Sequence, residues 1–293
     1  MEVLCKLLEE GVTSSHIIEG MKNYFVEKEY IELSLNQQWT LNSNEKYYVN
    51  LYGTNGLAFS VGEVGEEPIA FRVAMAHSDY PGIQVKPNPM MEGNHVARLN
   101  VELYGGLYQK SWIDRPLGVA GKVIVETSLL GMELSGYQSK KALCIIPSLA
   151  IHMDRELNKK GALDVAKEMV PIVSLNSKAD LLEEVAKELS IVKEDILDYE
   201  LYLYNMDAPQ MVGIESELIA SPRLDNITSV SAIMESMVAC KQIPKNTVNI
   251  MMVFDNEEVG SLSKQGADSE LLSMIVEKIG RSLQGDTFFV GDS

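Results

Sequence analysis

Two adjacent carboxylates, Glu257 and Glu258, follow the apolar run Val248 to Phe254, in the order Val253-Phe254-Asp255-Asn256-Glu257-Glu258-Val259-Gly260-Ser261. Such a run, rich in β-branched residues and Met, reads as a buried strand, and the acids stand at its end. Two ionised acids in a poorly solvated place repel unless a cation lies beside them. A divalent metal answers that requirement: one carboxylate ligates it, while the other takes a proton from a water that the metal acidifies. A second apolar run, Pro68 to Ala76, empties into His77-Ser78-Asp79. His77 is a ligand type at a strand end, and Asp79 is placed to accept from the non-ligating imidazole nitrogen, which fixes the tautomer. Asp225, in Ser221-Pro222-Arg223-Leu224-Asp225-Asn226, precedes a segment whose apolar positions Val230, Ile233, Met234, Met237 and Val238 recur at helical spacing. Each feature also has an ordinary reading: a solvated acidic turn, a polar turn, and a helix N-cap that Asn226 or Thr228 could equally supply. Their conjunction in alternating strands and helices points to a site, because sites in open α/β sheets form at the carboxyl ends of strands.

The elements that must position these residues are legible on both sides of them. Residues from about Thr13 to Glu32 form a helical segment with Ser14 or Ser15 as cap and Ile17, Ile18, Met21, Tyr24 and Phe25 on one face, leaving His16 at the surface. Lys46 to Leu51 and Ala58 to Val64 read as strands joined through Gly53-Thr54-Asn55-Gly56, leading into the strand that ends at His77. Beyond Pro89 the texture becomes all-β, with short stretches at Val96–Leu103, Gly121–Glu126 and Ala142–Ile146. The expectation is an α/β domain in two parts, residues 1–89 and 206–293, interrupted by a β-rich insertion at 90–205. Within the insertion, Ser177 to Leu189 reads as an amphipathic helix capped by Ser177. His152, flanked by Ile151 and Met153, falls on an expected strand with Asp154, and alone would read as structural.

Composition narrows the classes. A 46% apolar fraction over 293 residues supports a sizeable core, and a net charge of -17 argues against binding nucleic-acid backbones. Cys5, Cys144 and Cys240 are odd in number and widely spaced within apolar segments, as expected of reduced core thiols and not of a disulfide framework. Glu2, Glu9 and Glu10 are wrong for a secretory signal, and no apolar run reaches membrane-span length, so a cytoplasmic chain with no membrane role is expected.

Five spaced segments, in order, resemble the aspartyl aminopeptidase family, the M18 zinc metallopeptidases: Ala76-His77-Ser78-Asp79-Tyr80-Pro81-Gly82 with Lys86-Pro87-Asn88-Pro89, Tyr104-Gly105-Gly106 with Ser111-Trp112-Ile113-Asp114-Arg115, Ile151-His152-Met153-Asp154-Arg155, Ser221 to Asn226, and Phe254 to Ser261 with Lys264-Gln265-Gly266-Ala267. The resemblance implies a mixed-sheet α/β metallopeptidase domain interrupted by a β-rich dimerisation domain, acting on peptides as a homo-oligomer built from dimers. It implies two zinc ions, with manganese or cobalt able to replace them, bridged by Asp225 and ligated separately by His77 and Glu258. Glu257 would be the general base, Asp79 would orient His77, and His152 would reach the active site of a neighbouring subunit. The family also takes an aspartate and a histidine from beyond the Glu-Glu motif. No histidine follows Glu258 here, and Asp292, after Phe288-Phe289-Val290, is the candidate for the aspartate. A fragment of a longer peptidase, an inactive assembly subunit, and a metal-dependent deacylase on the same scaffold all stay open from the sequence.

Overall fold

The computed structural model describes residues 1–91, 95–127, 131–159, 161–285 and 288. The chain forms two units, Met1–Tyr80 with Pro209–Ser293, and Pro81–Ala208. The change of unit thus precedes the change of sequence texture after Pro89.

The first unit opens with α1 (Glu2–Glu10) and α2 (Ser14–Glu27), whose Ile17, Ile18, Met21 and Phe25 are buried. Four strands follow: β1 (Ile31–Leu33), β2 (Lys46–Leu51), β3 (Asn55–Val61) and β4 (Ala70–His77). β2 and β3 pair as a hairpin with Leu51 opposite Asn55, turning through Gly53 at φ 79°, which a residue without Cβ adopts cheaply. The chain then enters the second unit, a six-stranded sheet of β5 (Gly82–Met91), β6 (Ala97–Tyr104), β7 (Leu117–Thr127), β8 (Gly131–Gln138), β9 (Ile172–Ser174) and β10 (Ile196–Asn205), in the order β8-β7-β10-β5-β6-β9. Its helices are α3 (Val165–Glu168) and α4 (Leu181–Leu189). Asp180, not Ser177, caps α4, accepting from Leu182 N–H at 2.8 Å. Ala142–Ile146 makes only isolated bridges, to Leu117, Ile172 and Ile113, in place of the expected strand. Ile151–Met153 is an exposed turn, not a strand, so His152 points from a loop.

Returning to the first unit, the chain forms the hairpin β11 (Gln210–Val212) and β12 (Leu218–Ala220), then α5 (Leu224–Ala239), β13 (Thr247–Phe254) and α6 (Leu271–Gln284). The sheet order is β1-β2-β3-β13-β4, with β13 antiparallel to β3 and parallel to β4. Alternation along β13 feeds two cores: Val248, Ile250, Met252 and Phe254 pack with Leu271, Ile275 and Ile279 of α6, while Met251 and Val253 pack with α1, α2 and α5. Each fully buried aliphatic side chain here contributes about 1.5–3 kcal/mol against exposure. β13 is therefore central and rigid, and it delivers the Glu-Glu segment.

Among the described residues β4 pairs with β13 alone, and its Val73 and Met75 are 39% and 55% exposed. Two expectations change. His16 is half-buried, not superficial, with Nδ1 2.7 Å from Thr13 Oγ1, and burial pulls its pKa down to about 4. Of the cysteines, Cys144 is buried and pushed up to about 12 by that burial, Cys5 is half-buried, and Cys240 is exposed at the end of α5.

Candidate metal centre

His77 ends β4 and lies opposite Phe254, which ends β13, so both strands deliver their loops to the same end of the sheet. Ser78 ties that junction: its N–H donates to Phe254 O at 2.8 Å, and its Oγ donates to Thr54 O at 2.9 Å and Phe254 O at 3.1 Å. Asp79 comes next and is buried, and its carboxylate reaches across to the other loop. Oδ1 accepts from Glu257 N–H at 3.2 Å and Oδ2 from Glu258 N–H at 3.1 Å. One acid thereby fixes the backbone that carries the two glutamates.

Asp79 also holds the imidazole. His77 Nδ1 is 3.0 Å from Asp79 O and 3.3 Å from its Oδ1. A carbonyl can only accept, so this contact puts the proton on Nδ1 and leaves the Nε2 lone pair free. Nε2 faces acids: Asp225 Oδ1 at 3.5 Å and Glu257 Oε2 at 3.9 Å. Ligand atoms of His77, Glu257 and Glu258 lie within 4.8 Å of one another.

The turn bearing the glutamates is a single 3₁₀ turn, Glu257–Val259, bounded by Asn256 at φ 62° and Gly260 at φ 98°. Asn and Gly adopt this left-handed backbone at least cost. Gly260 N–H donates to Glu257 O at 2.9 Å, and Ser263 Oγ donates to Asn256 Oδ1 at 2.6 Å. Beneath it, buried Asp255 accepts from Ser14 Oγ at 3.0 Å and from Asn256 N–H at 2.9 Å, anchoring the turn to the start of α2. Asp255 was not singled out from the sequence; the available signal was an acid placed directly on a buried strand end.

Asp225 comes from the third segment. Its φ/ψ of -83°/116° is not helical, its peptide with Asn226 is cis, and α5 runs regularly only beyond Asn226. No side chain caps α5, so the N-cap reading of Asp225 is not what the structure has. The carboxylate is instead 78% exposed beside His77.

The structure therefore brings His77, Asp79, Asp225, Glu257 and Glu258 together. His152 lies on its exposed turn in the second unit, and Asp292 lies outside the described residues. Four carboxylates around one imidazole leave their mark on proton affinity. For Glu258, burial raises the pKa first; His77 opposes this, and Asp79, Asp225 and Glu257 add to it. For His77, burial acts to lower the pKa, but the hydrogen bonds and charge of Asp79, with Glu257, outweigh it and the net shift is upward. Asp255 is raised chiefly by burial. A divalent ion would relieve the repulsion, and the donor set fits one. Two ligands bonded to one zinc at ~2.0–2.2 Å stand about 3.3 Å apart at the tetrahedral angle. The 3.5 Å between His77 Nε2 and Asp225 Oδ1 is close to that. Imidazole and carboxylate donors without thiolate suit zinc and also manganese or cobalt.

Known proteins share this architecture. The family profile described as "Aminopeptidase I zinc metalloprotease (M18)" matches residues 7–290. A probable M18 family aminopeptidase 2 of Clostridium novyi is 36% identical over 290 residues, covering 97% of this chain and 66% of that protein. Aspartyl aminopeptidase 4 of Saccharomyces cerevisiae is 33% identical over 304 residues, covering 92% of this chain and 62% of its own length. The chain thus spans about two thirds of the length of the curated relatives it matches. Among solved structures, the S. cerevisiae mApe1 dodecamer superposes with a TM-score of 0.80 at 21% identity, covering 99% of this chain and 67% of that one, a likeness of fold. With a family profile matched over nearly its whole length, the chain belongs to the M18 family of aminopeptidase I zinc metalloproteases.

Proposed function

We propose that the protein acts as a zinc-dependent aminopeptidase, and that His77, Asp79, Asp225, Glu257 and Glu258 form the part of its active site present in this chain. The observation that carries the reading is the convergence of His77 Nε2 with Asp225 and the paired glutamates. His77 and Glu258 would each hold one of two ions, and Asp225 would bridge them. Bound zinc supplies a Lewis acid that polarises the scissile carbonyl and acidifies the attacking water. Glu257, with a side chain 54% exposed, stands free to take the water's proton at a carboxylate oxygen and pass it to the leaving amine. Asp79 keeps the proton on His77 Nδ1 and holds both glutamate amides, so the ligating and basic groups keep their spacing.

His77, Asp225 and Glu258 give each ion one ligand of its own and one shared, where a catalytic zinc takes three from protein. Among the described residues the ligand set is therefore partial, and tight metal binding draws on further groups. The relatives' names support a peptide substrate with a free N-terminus, and the dodecameric S. cerevisiae structure supports a homo-oligomer, in which His152 would serve a neighbouring subunit. Among the described residues, no helix is long and apolar enough to cross a membrane. A cytoplasmic location is part of the proposal.

The test is a peptide panel differing only in an acidic, neutral or basic N-terminal residue, incubated with the purified protein, with and without chelator. Release of the N-terminal residue, abolished by chelator and by Glu257→Gln, is expected. Cleavage of N-acylated amino acids with free peptides untouched would replace the aminopeptidase reading by a deacylase.

A further inference from the structure

The second unit holds a cavity that the proposed chemistry does not use. Its volume is about 560 Å³, within the range of roughly 300–1,000 Å³ typical of small-ligand sites, and half of the residues lining it are apolar. Arg98 enters this wall from β6, directly opposite Ile172 of β9, which lines the cavity with it. Leu99, the next residue along β6, is fully buried in the unit's core, so alternation turns Arg98 to the other face of the strand. A guanidinium stays charged at any ordinary pH, and each of its N–H groups that is taken out of water needs an acceptor.

The other charges of the wall are already engaged. Asp114 accepts from Ser148 N–H at 2.8 Å through Oδ1 and from Ser148 Oγ at 2.5 Å through Oδ2. Glu168 Oε2 accepts from Asp164 N–H at 2.8 Å, Lys167 Nζ lies 2.8 Å from Asp164 Oδ2, and Lys110 is engaged as well. Among the described residues Arg98 has no such partner: no ion pair joins it to either acid, and its Nε is buried without a hydrogen bond. Arg98, Lys110 and Lys167 against Asp114 and Glu168 leave one positive charge in excess, which a monoanion balances and a phosphate dianion would overrun. A carboxylate is the monoanion that matches a guanidinium in shape, since its two oxygens accept two parallel N–H bonds.

We infer that this cavity is a binding site for a small monocarboxylate with an apolar body. The carboxylate accepts from Arg98, and the body lies against Ile113, Leu163 and Ile172. Pro147 to Leu149 and the 3₁₀ turn that begins at Leu157 complete the wall, and in sequence they flank the exposed turn Ile151–Met153 on both sides. A bound ligand therefore ties the β6–β9 pair to both flanks of the segment that carries His152 and restrains that segment. The inference concerns the second unit alone and needs neither zinc nor turnover, so it stands or falls apart from the proposed function.

The experiment titrates hexanoate into the purified chain by calorimetry, with and without added zinc, beside hexanamide and hexylamine as uncharged and cationic probes of the same length. Hexanoate is expected to saturate one site per chain, at least about tenfold more tightly than either other probe, as a charge-assisted pair requires. Amide exchange across residues 147–158 should slow when it binds. Arg98→Gln should lose at least about tenfold in affinity. Leu157→Trp, which fills the cavity from the loop side with Arg98 in place, should abolish binding, and it carries the decision if Arg98→Gln fails to fold. Arg72→Gln, an exposed arginine of the first unit, should bind as before. No saturable binding, equal affinity for hexanamide, binding that appears only with zinc, or full affinity in a folded Arg98→Gln or in Leu157→Trp each overturns the inference.

Discussion

Asp79 serves the histidine and both glutamates at once, because its carboxylate reaches from the loop after β4 to the backbone amides of the loop after β13. Replacing it by Asn keeps the shape but leaves one acceptor oxygen for two amide donors. An unsatisfied buried amide costs about 1–3 kcal/mol. Asp79→Asn should lower the unfolding free energy by that order and weaken zinc binding about 10–100-fold, since it also loosens the imidazole; urea unfolding and calorimetric zinc titration measure the two effects. The glutamates should separate differently. Glu258→Gln should lose metal, whereas Glu257→Gln should keep metal and lose turnover by several orders of magnitude. Equal metal content in the two variants would contradict the division of roles.

At the scale of elements, β13 and the turn beyond it set the precision of the site. β13 is clamped between β3 and β4 and buried on both faces, so Phe254 is a fixed point, and the left-handed Asn256 and Gly260 fold the following residues back under it. The loop closes at Gly266, where an added Cβ would stand 2.0 Å from Ser261 O, a backbone atom with nowhere to retreat. Gly266→Ala should therefore destabilise the chain by about 1–3 kcal/mol through enforced backbone strain, and reduce zinc affinity with it. Gly106→Ala, with nothing within 4 Å of its new methyl, should leave unfolding midpoint and zinc affinity unchanged. A zinc affinity untouched by Gly266→Ala would mean that the loop does not position the glutamates.

For the whole molecule, acidity is coupled to the site. His77, Asp255 and Glu258 all have pKa values raised in the folded chain, so the native state holds more protons than the unfolded one. Stability contributed by these groups is then present below their ordinary values and is lost as pH rises through the raised ones, first in the carboxylate range and then in the imidazole range. In chelator, the melting temperature should fall between about pH 5 and about pH 8, and Glu258→Gln should flatten that fall. Zinc needs a free Nε2 lone pair and ionised carboxylates, so added zinc should stabilise more at the higher pH and oppose the trend. Calorimetry at both pH values, with and without zinc, checks the sign. If His152 acts in a neighbouring subunit, mixing His152→Ala with Glu257→Gln protein should restore part of the activity through hybrid assemblies, because one composite site is then intact. No recovery in a proven mixed oligomer would remove that role.

The amino-acid sequence by itself determined the strand ends at His77 and Phe254, the helix beyond Asp225 and the family, because apolar periodicity and short motifs are local and survive without partners. It also singled out His77, Asp79, Asp225, Glu257 and Glu258, the residues that the structure brings together. Only the tertiary structure decided which of these meet: that Asp79 spans to the amides of Glu257 and Glu258, that Asp255 is held by Ser14 from the far end of the chain, and that Asp225 stands exposed beside His77 instead of capping α5. Those are contacts between residues some 150 to 240 positions apart, for which periodicity carries no signal. His16 shows the same limit, as a residue at a helix start whose burial is set by what packs over it.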